Sequence, residues 1–128
     1  MSEEREKGQE FNGWSSYSTW VTALWLGNEQ YSYDTWRQAA RSAAEDNHHR
    51  PGMTVAEAAT IIVADQLKDH HEDAMHSFLE EANMTCSLWT DLLRSALSEV
   101  NWYEIAENMI DEVLEEQLTE DHNGQRHE

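Results

Sequence analysis

Basic residues are scarce in this chain: eight lysines and arginines stand against 26 aspartates and glutamates, a formal net charge of −18. A surface of that sign repels nucleic acid and anionic membranes, which excludes direct binding to either. Cysteine is nearly absent too. The lone Cys86 cannot form an internal disulfide, which fits a reducing compartment, and it is expected to be buried and inert. No run of about 18 apolar residues is available to cross a bilayer, and the first thirty residues show neither the basic start nor the small-residue cleavage site of a secretory signal. A cytoplasmic location is therefore expected. Also missing are a Gly-rich phosphate loop, zinc-type cysteine spacing and a nucleophile elbow, so no catalytic residues are expected and the chain is not read as an enzyme. No segment alternates apolar and polar residues over a strand's length, which argues against a sheet.

What is present is helical periodicity. The 128 residues suffice for one core. The expected fold is all-α, a single compact bundle of about five to six helices. It divides into a disordered leader (residues 1–10), an acidic helical domain (11–118) and a disordered acidic tail (119–128). A short echo marks two helix starts: Ser16, Tyr17, Thr19, Trp20 and Ala23 recur sixteen residues later as Ser32, Tyr33, Thr35, Trp36 and Ala39. With Ser18 and Asp34 as caps and Gly27-Asn28 between them, helices are predicted over 18–27 and 34–48, the second stopping before Pro51-Gly52. Thr54 and Glu57 have capping-box spacing and open a long helical region. Its apolar positions slip phase around Lys68 to Asp73, which predicts a break there. Leu88, Trp89, Leu92, Leu93, Ala96 and Leu97 lie on one side of a further amphipathic helix starting near Cys86 or Ser87. The last helix, from 102 to about 118, is announced by Asn101 as cap, Glu104 three residues on, and Val100 placed to staple against Ile105.

The charge is graded along the chain: the net is −3 over residues 1–53, −6 over 54–98 and −9 over 99–128. On the last helix, Trp102, Ile105, Ala106, Met109, Ile110 and Val113 form the expected core face. Glu104, Glu107, Asp111 and Glu115 share the opposite arc. Carboxylates three or four residues apart on a helix lie about 5–6 Å from one another, a spacing comparable to phosphates along a strand, so such a ridge resembles a nucleic-acid backbone to a basic groove. The expected partner-binding residues are Glu104, Glu107, Asp111, Glu112, Glu115 and Glu116, with Glu72, Asp73, Glu80 and Glu81 of the preceding helical region. The bland alternative is a solvated face that keeps the protein soluble.

Metal ligation is a weaker candidate. Glu45 with His48 and Asp73 with His76 have the i,i+3 spacing used in di-iron bundles, but Asp73 replaces a Glu, and His48 and His49 suit a helix C-terminus. No metal or cofactor is expected. His70, His71 and His76 sit among carboxylates, which favours protonation, and read as solvated spacers. Most of the six tryptophans must be core, with Trp20, Trp89 and Trp102 on helical core faces and Trp14 ahead of the first helix.

Asn12, Gly13 and Trp14, then Tyr17, Thr19 and Trp20, then Leu24, Trp25, Leu26, Asn28 and Glu29, with Asn101, Trp102, Glu104, Ile105 and Ala106 near the end, resemble the pattern of a family of small uncharacterised proteins from phages, plasmids and haloarchaea. Gly27 departs from it by inserting before Asn28. The resemblance implies a mobile-element context and carries no activity. In that context small acidic proteins occupy the DNA grooves of restriction or CRISPR enzymes, so the expected function is a DNA-mimic-like inhibitor of a basic, nucleic-acid-handling host protein. Two alternatives stand beside it. One is a helical interaction module or homodimer whose acidity reflects a salty cytoplasm, for which acid should cover every face; the other is a carboxylate-histidine metal protein.

Overall fold

The structure, a computed structural model, describes residues 11–46 and 50–126 and, in the last helix, side chains as far as Thr119. The expected disordered leader, His48 and His49 lie outside the described residues. Five helices in chain order make up the described fold: α1 (Tyr17–Asn28), α2 (Gln30–Glu45), α3 (Val55–Glu81), α4 (Leu88–Ser98) and α5 (Trp102–Arg126). The described residues include no strand. The last helix thus continues past residue 118 to Arg126.

α3 and α5 pack on each other most extensively, and α2 lies against both. Alanines at the helix faces let the backbones approach: Ala40 of α2, Ala58 of α3 and Ala106 of α5 are fully buried. Around them Trp36, Val63, Leu67, Trp102, Ile105, Ile110 and Val113 fill the core, to which α1 contributes Leu26. Full burial of an Ile or Leu contributes about 1.5–3 kcal/mol, so this small set carries most of the hydrophobic stabilisation.

The helix starts follow the sequence closely in three places. Thr54 and Glu57 form the complete capping box, Ser87 caps α4 by accepting the Thr90 N–H, and Asn101 Oδ1 accepts the Glu104 N–H at 3.0 Å. Others differ. The cap of α1 is Ser16, not Ser18, and accepts the Thr19 N–H at 3.1 Å. α2 begins at Gln30, four residues before Asp34, because one extended residue, Glu29, suffices to separate it from α1. Asp34 instead accepts a bond from the Gln30 side chain within the helix.

α3 is unbroken across Lys68 to Asp73. The phase slip needs no bend because the second half buries no continuous stripe: after Leu67 only Leu79 is buried, and Phe78 is exposed. α4 is the larger departure. Its buried side consists of Thr90, with Leu97 half-buried, whereas Leu88, Trp89, Leu92, Leu93 and Ala96 are exposed. The amphipathic helix is therefore docked with its apolar face outward, anchored by Thr90 Oγ1, which donates to the Met84 carbonyl. Trp89 is consequently 63% exposed rather than core. Cys86, expected to be buried, is exposed in the surface turn that leads into α4. Trp25 is exposed as well, Trp20 and Trp14 are half-buried, and Trp36 and Trp102 are buried.

Candidate functional site: the acidic face of the last helix

The core side of α5 is fixed by Trp102, Ile105, Ile110 and Val113, which turns Glu107, Asp111 and Glu115 to the outside. All three are exposed, and among the described residues none of their carboxylates has a hydrogen-bond or ion-pair partner. They form an uninterrupted line of negative charge along one helix face.

The other predicted acids divide by their internal bonds. Glu112 and Glu116 flank the core on the side of α2, where Arg37 donates to Glu112 at 3.2 Å and Arg41 to Glu116 at 3.1 Å. Arg37 also pairs with Glu116 and lies over the Tyr33 ring, 5.3 Å from its centroid. Glu112 and Glu116 are thus structural ion-pair partners. Neither motif spacing nor net charge singles out Arg37 and Arg41. The available signal was their i,i+4 spacing on one helix, matching Glu112 and Glu116 at the same spacing on another.

Glu104 departs furthest from a free ridge acid. Its carboxylate accepts from the Ser15 hydroxyl at 2.7 Å and from the Ser15 backbone N–H. Next to it, the Asn101 N–H donates to Thr19 Oγ1 at 2.8 Å, the Thr19 hydroxyl shares a 2.7 Å bond with Ser16 Oγ, and Ser16 Oγ donates to the Glu99 carbonyl. The first turns of α1 and α5 cap each other. The two sequence blocks that carried the family resemblance meet here, and Thr19 is fully buried at their junction.

On α3, Glu72, Asp73 and Glu81 are exposed, and no hydrogen bond or ion pair among the described residues joins them to the α5 ridge. Glu80 lies 3.1 Å from His76 Nε2. His71 is not a solvated spacer. It stacks between Trp36 and Trp102, with centroids 5.9 and 5.2 Å away, and its Nδ1 lies 2.6 Å from the Leu67 carbonyl, which selects the Nδ1–H tautomer as donor. Burial lowers its pKa from the usual value; the Leu67 bond opposes that shift, and the neighbouring His70 adds to it. Nearby carboxylates do not set its charge.

A cavity of about 140 Å³ opens between α1, α2 and α5, floored by Trp14, Leu26 and Met109 and rimmed by Tyr33, Arg37 and Glu112. Among the described residues no three His, Cys, Asp or Glu side chains gather in a way that could hold a metal ion, and no helix is long and apolar enough to cross a membrane.

The model described as "Family of unknown function (DUF7249)" matches residues 7–123, and the chain belongs to that family. Comparison with curated proteins and with solved structures gave no match.

Proposed function

We propose, from membership of a family that brings no activity with it, that this protein binds a basic, nucleic-acid-handling protein through the outward face of α5, as a DNA-mimic-like inhibitor from a mobile element. The observation that carries the reading is the line Glu107, Asp111 and Glu115: exposed, without partners among the described residues, and spaced like phosphates. Arg37 and Arg41 support it indirectly. Both are held by Glu112 and Glu116 on the flank of α5, which keeps positive charge away from the outer face. Glu104, bound to Ser15, holds the start of the ridge in place rather than meeting a partner. A general adaptation to high salt accounts less well for the surface, because acid should then cover every face. α4 carries only Asp91 and Arg94 and is locally neutral.

The target class is a restriction or CRISPR defence enzyme, whose DNA groove presents lysines and arginines. Association steered by such charges falls steeply with ionic strength. The test is capture from host lysate on immobilised protein at 50 and 500 mM NaCl, with duplex DNA as competitor, for the wild type and for Glu107→Lys/Asp111→Lys/Glu115→Lys. Capture of basic proteins that is lost at high salt, displaced by DNA and abolished by the triple variant is the expected result. Undiminished capture by the triple variant, or indifference to DNA, overturns the reading.

A further inference from the structure

We infer that the outward apolar face of α4 is a two-fold interface with a second copy of this chain. Leu88, Trp89 and Leu92 are 65%, 63% and 52% exposed, and Leu93 and Ala96 complete the same face. Only Thr90 and Leu97 of α4 turn inward, which leaves its apolar side to another surface. Scaled to ordinary side-chain areas, the face offers roughly 500 Å² per copy, about 1,000 Å² for a pair, which reaches the lower bound for a specific interface.

Three observations select a second copy as the occupant. The first is charge. A chain of net −18 repels its own copies over most of its surface, but α4 holds one acid and one base, so two copies can meet there with least repulsion. The same net charge disfavours an anionic membrane as the occupant. The second is the chain's own sequence: residues 2–10 and 119–128 contain no apolar side chain with which to cover the face. The third is shape. In an antiparallel pairing about a two-fold axis between Leu92 and Leu93, the large Trp89 falls opposite the small Ala96 of the partner subunit, and Leu92 opposite Leu93 of the partner subunit. The face is therefore complementary to itself, as an isologous contact requires. Helix α4 is about 16 Å long, enough for this one set of contacts.

This inference is independent of the acidic ridge, and its response to salt has the opposite sign. Screening weakens binding to a basic partner but relieves the repulsion between two acidic copies, so self-association strengthens with salt. Sedimentation velocity of the full chain over a wide concentration range, at 50 and 500 mM NaCl, reads this directly. A monomer–dimer equilibrium in the micromolar range is expected for an interface of this size, tighter at the higher salt. Leu92→Asp should weaken it by at least about 30-fold, the effect of losing a central contact. Trp89→Ala should act in the same direction. Both side chains are exposed, so helicity and melting temperature in dilute solution serve as the control for folding. Glu107→Lys/Asp111→Lys/Glu115→Lys should still dimerise. A chain that stays monomeric at several hundred micromolar in 500 mM NaCl, or a dimer indifferent to Leu92→Asp, overturns the proposal and leaves the face to a different protein.

Discussion

Replacing Thr19 by valine tests whether the reciprocal caps of α1 and α5 hold the fold together. Valine matches threonine in shape, so the fully buried site loses no volume and packing is preserved. What disappears is the acceptor for the Asn101 N–H at 2.8 Å and the bond to Ser16 Oγ. Ser16 keeps its bonds to the Thr19 N–H and the Glu99 carbonyl, so the principal loss is one partly buried backbone donor left without a partner. That costs about 1–3 kcal/mol. Folding free energies of small domains are only about 5–15 kcal/mol, so the loss is a substantial part of the total. For a domain of this size it corresponds to a drop of roughly 4–15 °C in Tm. Urea unfolding followed by tryptophan fluorescence gives the free energy, and an unchanged m-value shows that the same surface is exposed in both proteins. Thr19→Ser is the companion variant. It keeps the oxygen and removes one methyl group, a transfer loss of about 0.8 kcal/mol. The reasoning is refuted if valine is tolerated as well as serine or better, because packing and not the hydroxyl would then be the contribution of Thr19.

Three further outcomes follow. His71 has a pKa below its unfolded value, so its neutral form stabilises the fold fully above about pH 6.5, and that contribution declines as pH falls from there toward the lowered folded value; His71→Phe, which cannot titrate, should lose less Tm than wild type between pH 7.5 and 5 in thermal melts. Ile110→Ala, at a fully buried position, should cost about 2–5 kcal/mol in urea unfolding, whereas Trp89→Ala in dilute solution should change stability by less than about 0.5 kcal/mol. Asp111→Lys replaces two like-charged i,i+4 pairs with two opposite ones, so it should raise stability by about 1 kcal/mol in the same assay while weakening capture of basic proteins, and a stability loss would refute the placement of Asp111 on an unpaired ridge.

Local signals were legible in the sequence. The starts of α3, α4 and α5 are set by side chains within three residues of the backbone groups they satisfy, so Thr54, Ser87 and Asn101 announce them directly. The outward line Glu107, Asp111 and Glu115 follows from the same periodicity that buries Ile110 and Val113. Periodicity also showed that Leu88, Trp89 and Leu92 share a face, but it carries no information on whether that face turns inward. Thr90 and Leu97 face inward, which leaves Trp89 outside although its spacing predicts a core position. The role of Glu104 was hidden by distance: its partner Ser15 lies 89 residues away. Distance along the chain hides the setting of His71 as well. Its sequence neighbours are carboxylates, whereas its neighbours in space are Trp36 and Trp102, from two other helices.

The bonds between α1 and α5 also bear on the order in which the chain assembles. They join residues 82 to 89 positions apart, little more than the 75 that separate Arg37 from Glu112 between α2 and α5, so loop closure costs the two junctions nearly the same. α2, α3 and α5 share a core through Trp36, Val63, Leu67, Ile105 and Ile110, to which α1 adds only Leu26 among the buried residues. The small share of α1 in the core leads us to expect that it is the first helix to detach. If α1 detaches before the rate-limiting step, Thr19→Val accelerates unfolding more than it slows folding, and stopped-flow kinetics of that variant read the difference.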